Sequence, residues 1–246
     1  METETKQFGG GLRNVRYKHI DSDEYYTPIE TVEKIFSKIL PYVKEKKIWF
    51  PCDHEQSAFV SYAQKLGLNY KNSSDDFRKR EDLLSWCDVV VTNPPFTLIP
   101  TLCDLIKDKN KDFLLISPYV RMNAVMQRFL NVSFFSLPSS FYRPDNAIER
   151  VSVAAANSFH ITNGKTLPQY EKLICEYCDE TRIPILNNIK NFPHDEIAPN
   201  KMYVPLTFAM YETGNWQRVR VIDRPKVNGK YKFRRLLIQK KQTHFI

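Results

Sequence analysis

The sequence contains little glycine, with 7 glycines among 246 residues. Glycine-rich loops let the backbone approach a bound phosphate or cofactor closely, because glycine has no Cβ. Gly9, Gly10 and Gly11 stand together in a charged N-terminal stretch, 1–22, which we interpret as a loose arm. The segment 53–57, which follows the first predicted strand, contains no glycine. A cofactor loop built on glycine is therefore not expected there.

Cysteine is also scarce, and its spacing does not indicate a disulfide framework. Cys52, Cys87 and Cys103 fall in predicted strands or helices, where a reduced, buried thiol is the usual state. Cys175 and Cys178 have the spacing of a metal-ligand pair, but the sequence offers no second cysteine pair and no suitably spaced histidine. We predict two packed thiols on a helical turn there, and no metal site.

Long apolar runs are absent as well. An apolar helix of about 20 residues is needed to span a bilayer, and the sequence has none. The N-terminal residues do not show the pattern of a secretory signal peptide. These absences predict a cytoplasmic protein without a membrane partner.

Acidic residues are almost missing from the last part of the chain. The net charge of the sequence is +8, and residues 215–246 contain ten Lys or Arg against Asp223 alone, which gives this tail a charge of +9. Trp216, Tyr231 and Phe233 are interleaved with these cations. The pattern favours a polyanionic partner, although a solvated edge strand guarded by lysines has the same composition.

A turn signal, Asn228-Gly229, stands inside this tail. Alternating apolar residues precede it at Val219 and Val221 and follow it at Tyr231 and Phe233, which predicts a hairpin. The cations that we assign to phosphate contacts are Arg218, Arg220, Arg234, Arg235, Lys240 and Lys241.

Strand-like and helix-like segments alternate before the tail. Strands alternating with helices predict an α/β fold, with a mostly parallel twisted sheet covered by helices on both faces. The length suits one substantial core, so we expect a core at 23–165 and a C-terminal extension at 166–246 that contacts the target. The predicted strands are 47–52, 68–72, 88–92 and 111–117, with further strands at 133–137 and 151–161, and the predicted helices are 29–43 and 58–66.

The first helix has a marked start. Thr27, Pro28 and Glu30 predict an N-cap, a first-turn proline and a capping-box glutamate. Tyr25 and Tyr26 precede this N-terminus, where free backbone amides favour a carboxylate. We expect the two tyrosines to line a cofactor pocket.

Three polar segments, 53–57, 75–77 and 93–96, each follow a predicted strand. In parallel sheets, ligands bind beyond the carboxyl ends of the strands. The three segments therefore predict one site at that edge of the sheet. The loop 141–146, which is polar and aromatic, suits a substrate contact and equally suits an ordinary connection.

The tetrapeptide Asn93-Pro94-Pro95-Phe96 carries the most specific chemistry. The Asn93 side-chain oxygen and the Pro94 carbonyl are acceptors, and Pro95 fixes the backbone without adding a donor. Two acceptors can bind the protons of an exocyclic amine, so that its nitrogen lone pair points at a methyl donor. Phe96 can stack on a base that has left its helix. The same tetrapeptide also fits a strand that simply ends in a rigid turn.

The run from Asp76 to Leu98, which ends just after this tetrapeptide, resembles the EcoRI-type adenine-specific DNA methyltransferases. The segments 23–27, 52–59 and 204–208 are similar to further elements of that family. The resemblance is good over roughly 23–120. It implies the fold of S-adenosylmethionine-dependent methyltransferases and a methyl transfer to N6 of adenine in DNA.

The resemblance also implies roles for individual residues. Asp53 would meet the methionine part of the cofactor, and Asp76 with Phe77 would meet its adenine. Asn93, Pro94, Pro95 and Phe96 would be catalytic. The residues expected at the cofactor are Tyr25, Tyr26, Thr27, Pro28, Cys52, Asp53, Ser57, Asp76, Phe77 and Asn93.

Two other functions fit the same residues. The Asn-Pro-Pro-aromatic set can orient a side-chain amide, as in a protein glutamine N5-methyltransferase, and the basic tail argues against this alternative. A DNA-binding protein that keeps the fold without the chemistry is the second alternative, which the glycine-free first loop favours slightly. The restriction-modification setting that the resemblance implies cannot be tested from the sequence.

Overall fold

The structure, a computed structural model, describes residues 25–73, 75–138, 140–142 and 147–242. The arm 1–22, the pair Asp23-Glu24 and the loop tip 143–146 lie outside the described residues. In the described part, the α-helices are α1 (Ile29–Val43), α2 (Ala58–Lys65), α3 (Glu81–Trp86), α4 (Ile99–Asp108) and α5 (Met122–Met126). The strands are β1 (Ile48–Phe50), β2 (Tyr70–Asn72), β3 (Val89–Thr92), β4 (Asp112–Pro118), β5 (Ser133–Ser136), β6 (Ser140–Tyr142), β7 (Ile148–Arg150), β8 (Val153–Asn157), β9 (Glu176–Tyr177), β10 (Pro184–Ile185), β11 (Lys201–Val204), β12 (Trp216–Ile222), β13 (Lys226–Val227), β14 (Lys230–Tyr231) and β15 (Arg235–Lys240).

The central sheet has six strands in the order β2-β1-β3-β4-β8-β5. β1 to β4 pair in parallel, and β8 runs antiparallel between β4 and β5. The connection from β1 to β2 runs towards one edge of the sheet. The connections from β2 to β3 and from β3 to β4 run towards the other edge. Because such crossovers are right-handed, α2 covers one face and α3 and α4 cover the opposite face. The predicted α/β fold with a mostly parallel sheet is confirmed.

The reversal of direction lies between β1 and β3, which are neighbours in the sheet. The chain leaves β1 towards one edge and leaves β3 towards the other, so a crevice opens beyond their carboxyl ends. Ile48, Trp49 and Phe50 in β1 and the β3 run 89–91 are fully buried. This burial on both faces explains why their sequence is continuously apolar rather than alternating.

The start of α1 differs from the capping prediction. Pro28, in extended conformation, is the N-cap residue and makes no side-chain cap. Its carbonyl accepts from the N–H groups of Thr31 and Val32 at 3.0 and 3.2 Å. The predicted capping box of Thr27 and Glu30 is therefore wrong, because the helix begins one residue later than the sequence pattern implied.

The second sheet is formed by residues 176–240, in the order β12-β15-β11-β10-β9. Its inner face shares one apolar core with the first sheet, through buried side chains that include Phe192, Phe208 and Trp216. The division at residue 165 stays a prediction. Within the described ranges, every helix is too short or too polar to cross a bilayer.

The turn at Asn228 and Gly229 has positive φ values of 49° and 74°, as a type I′ hairpin requires. The hairpin is shorter than predicted, because only β13 and β14 pair across it. Val219 and Val221 belong to β12, whose partner is β15.

Candidate active site

Two adjoining cavities of about 320 and 290 Å³ open at the carboxyl ends of β1 and β3. Tyr25, Tyr26, Cys52 and Asn93 line both, so the cavities form one elongated site. The larger cavity is also lined by Pro51, Asp75, Asp76, Phe77, Arg78, Pro95 and Leu98. The smaller cavity is also lined by Thr27, Asp53, His54, Gln56, Ser57, Ala58 and Phe59. The structure therefore brings the three segments predicted at this edge together with the aromatic pair before α1.

Asn93 has a fixed side-chain orientation. Its Nδ2 donates to the carbonyl of Tyr25 at 2.6 Å, and because a carbonyl can only accept, the amide must face it with its nitrogen. The Asn93 Oδ1 atom is inaccessible to solvent and accepts no hydrogen bond from any residue that the structure describes. Asn93, which lines both cavities, thus holds an acceptor that no described residue uses.

The aromatic ring of Phe96 is 5% exposed and stacks on Tyr25, with ring centroids 5.2 Å apart and planes 19° apart. Sequence reasoning expected Phe96 to offer a face to a base, and one face is instead covered by Tyr25. Tyr26, beside it, is 41% exposed. The sequence could not reveal this stack, because Tyr25 and Phe96 are far apart along the chain.

Asp53 is 7% exposed, and its Oδ2 atom has no hydrogen-bond partner in the described part of the chain. Burial raises the pKa of Asp53 to about 7, and the hydroxyl groups of Ser57 and Thr92 act in the opposite direction. A cationic ligand would stabilise the ionised form of this buried carboxyl, because it supplies a positive charge that the described residues do not place there.

Cys52 and Ser57 flank this carboxyl. Burial raises the pKa of the Cys52 thiol to about 12, so the thiol is neutral and is not poised as a nucleophile. The Ser57 hydroxyl accepts from the N–H of Val60 at 3.3 Å and caps α2. Both residues shape the smaller cavity.

Asp76 lies on the wall of the larger cavity, and its carboxylate is paired with a neighbouring side chain. Its Oδ1 and Oδ2 atoms accept from the guanidinium of Arg78 at 2.7 and 2.9 Å. These hydrogen bonds hold the pKa of Asp76 below its usual value. Phe77, which is 5% exposed, lies beside it on the same wall.

Tyr26 links the site to the hairpin β6–β7. The N–H of Tyr26 donates to the carbonyl of Tyr142 at 2.7 Å, and the N–H of Tyr142 donates to the carbonyl of Tyr26 at 3.0 Å. Tyr142 is 41% exposed. The sequence predicted a loop at 141–146, and the structure pairs Tyr142 of this segment with Tyr26, which precedes α1.

The paired cysteines near the C-terminal sheet are not on a helical turn. Glu176 and Tyr177, the two residues between them, form β9, and Cys178 is buried. Among the residues described, no group of three His, Cys, Asp or Glu side chains is arranged to hold a metal ion.

Three of the six cations assigned to phosphates direct their N–H groups into the protein. Arg218 donates to the carbonyls of Leu130 and Val132. Burial lowers its pKa to about 10. The buried Arg235 donates to the carbonyls of Phe233 and Arg234, and Lys240 donates to the carbonyls of Asp195 and Ala198.

The other three cations are exposed. Arg234 pairs with Asp223 at 2.7 Å, and Lys241 donates to the carbonyl of Gly214 at 2.7 Å. Arg220 forms no ion pair with a described residue. The assignment of this set to nucleic acid stays a prediction, and the sequence pattern could not separate its internal members from its external ones.

Comparison with known proteins adds an independent observation. No known protein-family profile matches the chain. A protein described as Type II methyltransferase M.MgeORF184P, from Mycoplasma genitalium, is 23% identical over 319 aligned residues, which cover 92% of this chain and 98% of that protein. A solved structure, precorrin-6y C5,15-methyltransferase from Geobacter metallireducens GS-15, matches with a TM-score of 0.37 and 12% identity over 56% of this chain and 95% of that chain. The sequence match over nearly the whole of both chains supports a methyltransferase function.

Proposed function

We propose that the protein transfers a methyl group from S-adenosylmethionine to N6 of adenine in DNA. The observation that carries this proposal is the orientation of Asn93. Its amide nitrogen donates to the carbonyl of Tyr25, and its oxygen has no partner among the described residues, on a side chain that belongs to the lining of both cavities.

The unused acceptor fits the chemistry of an aromatic amine. Such a nitrogen attacks poorly while its lone pair is delocalised into the ring, and two acceptors on its protons favour the geometry in which the lone pair is directed at an electrophile. We assign one acceptor to Asn93 Oδ1 and the second to the carbonyl of Pro94, a buried residue that follows Asn93 directly. Pro95 has no N–H, so the segment offers no donor that would compete with the amine. The rate gain comes from positioning and electrostatic fit.

The residues around the cavities fit the cofactor. S-adenosylmethionine, when bound, supplies an electrophilic methyl group on a sulfonium. The carboxyl of Asp53 suits the cationic methionine part, and the start of α1, where the first N–H groups have no partner within the helix, suits its carboxylate. Asp76 and Phe77 on the larger cavity suit the adenine part. Within these roles, Asp76 must share its carboxylate with Arg78 or exchange one partner for the other.

Tyr26 takes the base-stacking role that the sequence analysis assigned to Phe96. Phe96 keeps Tyr25 in place by stacking, and this stack holds the carbonyl that orients Asn93. Tyr26, which lines both cavities and is partly exposed, offers an aromatic face to an extruded base. We assign the base contact to Tyr26, because Phe96 is buried and does not line either cavity.

The test is transfer of labelled methyl groups to duplex DNA, RNA and protein acceptors, followed by digestion to nucleosides. N6-methyladenine from DNA is the expected product. Asn93→Ala should lower kcat by about 10²–10³ with nearly parental cofactor affinity, because its oxygen acts on the target amine. Asn200→Ala, at an exposed asparagine in the C-terminal sheet region, is the matched control. Label in polypeptide after nuclease treatment, or a parental rate in Asn93→Ala, would show that the assignment is wrong.

A further inference from the structure

The hairpin β13–β14 and the residue pair after it carry exposed aromatic side chains that the proposed reaction does not use. Phe233 is 87% exposed and Tyr231 is 61% exposed. Arg224 and Lys226 lie over the ring of Tyr231, with Cζ and Nζ at 5.4 and 4.8 Å from its centroid. Single exposed apolar residues are ordinary on protein surfaces. Two exposed rings that lie two positions apart in sequence, with cations stacked on one of them, are less common on a protein surface.

The charge of this hairpin is of one sign. Residues 224–235 contain six Lys or Arg and no Asp or Glu. Lys232 is neutralised by Glu176 at 2.7 Å, and Arg234 by Asp223. Arg224 and Lys230 are exposed and form no ion pair with any described residue. The cations left for a partner therefore lie in the same short segment as the exposed rings, and Arg224 stacks on Tyr231.

The hairpin is held in place by the rest of the second sheet. The two carboxylate oxygens of Asp179 accept from the N–H groups of Asn228 and Gly229, both at 2.8 Å. Val227, 2% exposed, packs in an apolar cluster with Tyr203 and Leu237. Because the turn backbone and Val227 are both anchored, the backbone of this hairpin needs little ordering on binding.

We propose that this hairpin is a contact surface for the target duplex, with Phe233 and Tyr231 against the bases and Arg224, Lys226 and Lys230 at the phosphates. The proposal rests on the proposed function. An enzyme that acts on an adenine amine must hold its duplex while the base leaves the stack. Exposed rings can stack on bases while neighbouring cations neutralise phosphates, so this surface suits a DNA partner. An acidic peptide would satisfy the cations but would leave the flat rings without stacking partners.

The test is duplex binding without cofactor, measured by fluorescence anisotropy of a labelled DNA over a range of salt concentrations. Phe233→Ala should weaken binding about tenfold at a fixed salt concentration and keep the parental salt slope, because it removes stacking and no charge. The double variant Arg224→Gln, Lys230→Gln should lower the log–log salt slope by about 2, one unit for each phosphate that is no longer neutralised. Tyr170→Ala and Lys172→Gln, at an exposed ring and an exposed cation outside the hairpin, are the matched controls and should bind as the parent does.

The outcomes separate this proposal from the proposed function. If the parent methylates DNA while both hairpin variants keep its affinity and slope, the hairpin proposal falls and the proposed function stands. A parent that binds no duplex overturns both. Binding to phosphatidylserine vesicles that equals DNA binding, with the same loss in Phe233→Ala, would assign the hairpin to a membrane surface instead.

Discussion

Asp53 links the chemistry of a single residue to a pH dependence. Burial raises its pKa to about 7, so below pH 7 its carboxyl is mainly protonated. A cationic ligand pairs with the ionised form only, and its binding must then release a proton. We expect S-adenosylmethionine affinity to rise with pH, by up to about tenfold per unit below pH 7, and to level off above it. Calorimetry between about pH 5 and pH 8, in buffers of different ionisation enthalpy, measures both the affinity and the proton release.

The free energy of unfolding, measured without added cofactor, supplies the control. Folded Asp53 keeps a proton that the unfolded chain releases between its ordinary pKa of 3.8 and about 7, so this residue makes the protein less stable as pH rises through that window. Asp53→Asn should remove this dependence and flatten the pH profile of cofactor binding, and Asp108→Asn, at an exposed carboxylate, should change neither. Identical pH profiles in the parent and Asp53→Asn would assign the titration to another group.

At the residue scale, the sequence could locate the candidate site but not the side-chain pairs inside it. Asn93 and Asp53 were placed by residue type and by their position after predicted strands, and both line the cavities. The Tyr25–Phe96 stack and the Asp76–Arg78 pair could not be predicted. These side-chain contacts depend on loop conformations, and the spacing of apolar residues does not predict loop conformations.

At the scale of elements, the long apolar patterns predicted β1 to β4 and the helices α1 and α2. Continuous runs such as Val89–Thr92 have few alternatives to a buried strand, so their prediction succeeded. The hairpin around Asn228 was predicted with the wrong partners. Alternation fixes which side chains share a face, but it does not say which strand lies alongside, and β12 pairs with β15 instead.

The pairing of Tyr26 with Tyr142 predicts that cofactor binding is felt in β6–β7. A ligand that fills the two cavities fixes Tyr26, and two backbone hydrogen bonds then restrain Tyr142. In hydrogen exchange, S-adenosylhomocysteine should slow the amides of both residues. The amides of β13–β14, which have no such link, are the internal control. Slower exchange in the 52–57 loop without a change at 140–142 would show that the hairpin moves independently of the cofactor.

At the scale of the whole molecule, Arg218 and Arg220 show that the basic tail contains both internal and exposed cations. The two residues lie in one strand, β12, and the sequence assigned both to phosphates. Arg218 donates instead to the carbonyls of Leu130 and Val132, next to β5, and so joins the second sheet to the edge of the first. Arg220 is exposed. Composition alone could not distinguish them, because burial depends on how the two sheets pack.

The two arginines therefore make a matched pair of substitutions. Arg218→Gln should lower the free energy of unfolding by about 1–2 kcal/mol, since two carbonyls lose their donor while relief of a buried charge offsets part of that loss. The salt slope of duplex binding should stay parental. Arg220→Gln should leave stability within about 0.5 kcal/mol and lower the salt slope by about 1. Chemical denaturation and anisotropy titrations on the same preparations measure both quantities. A lowered slope in Arg218→Gln with unchanged stability would mean that this guanidinium turns outward to DNA, and the joint between the two sheets would then depend on apolar packing around Trp216 and Phe208.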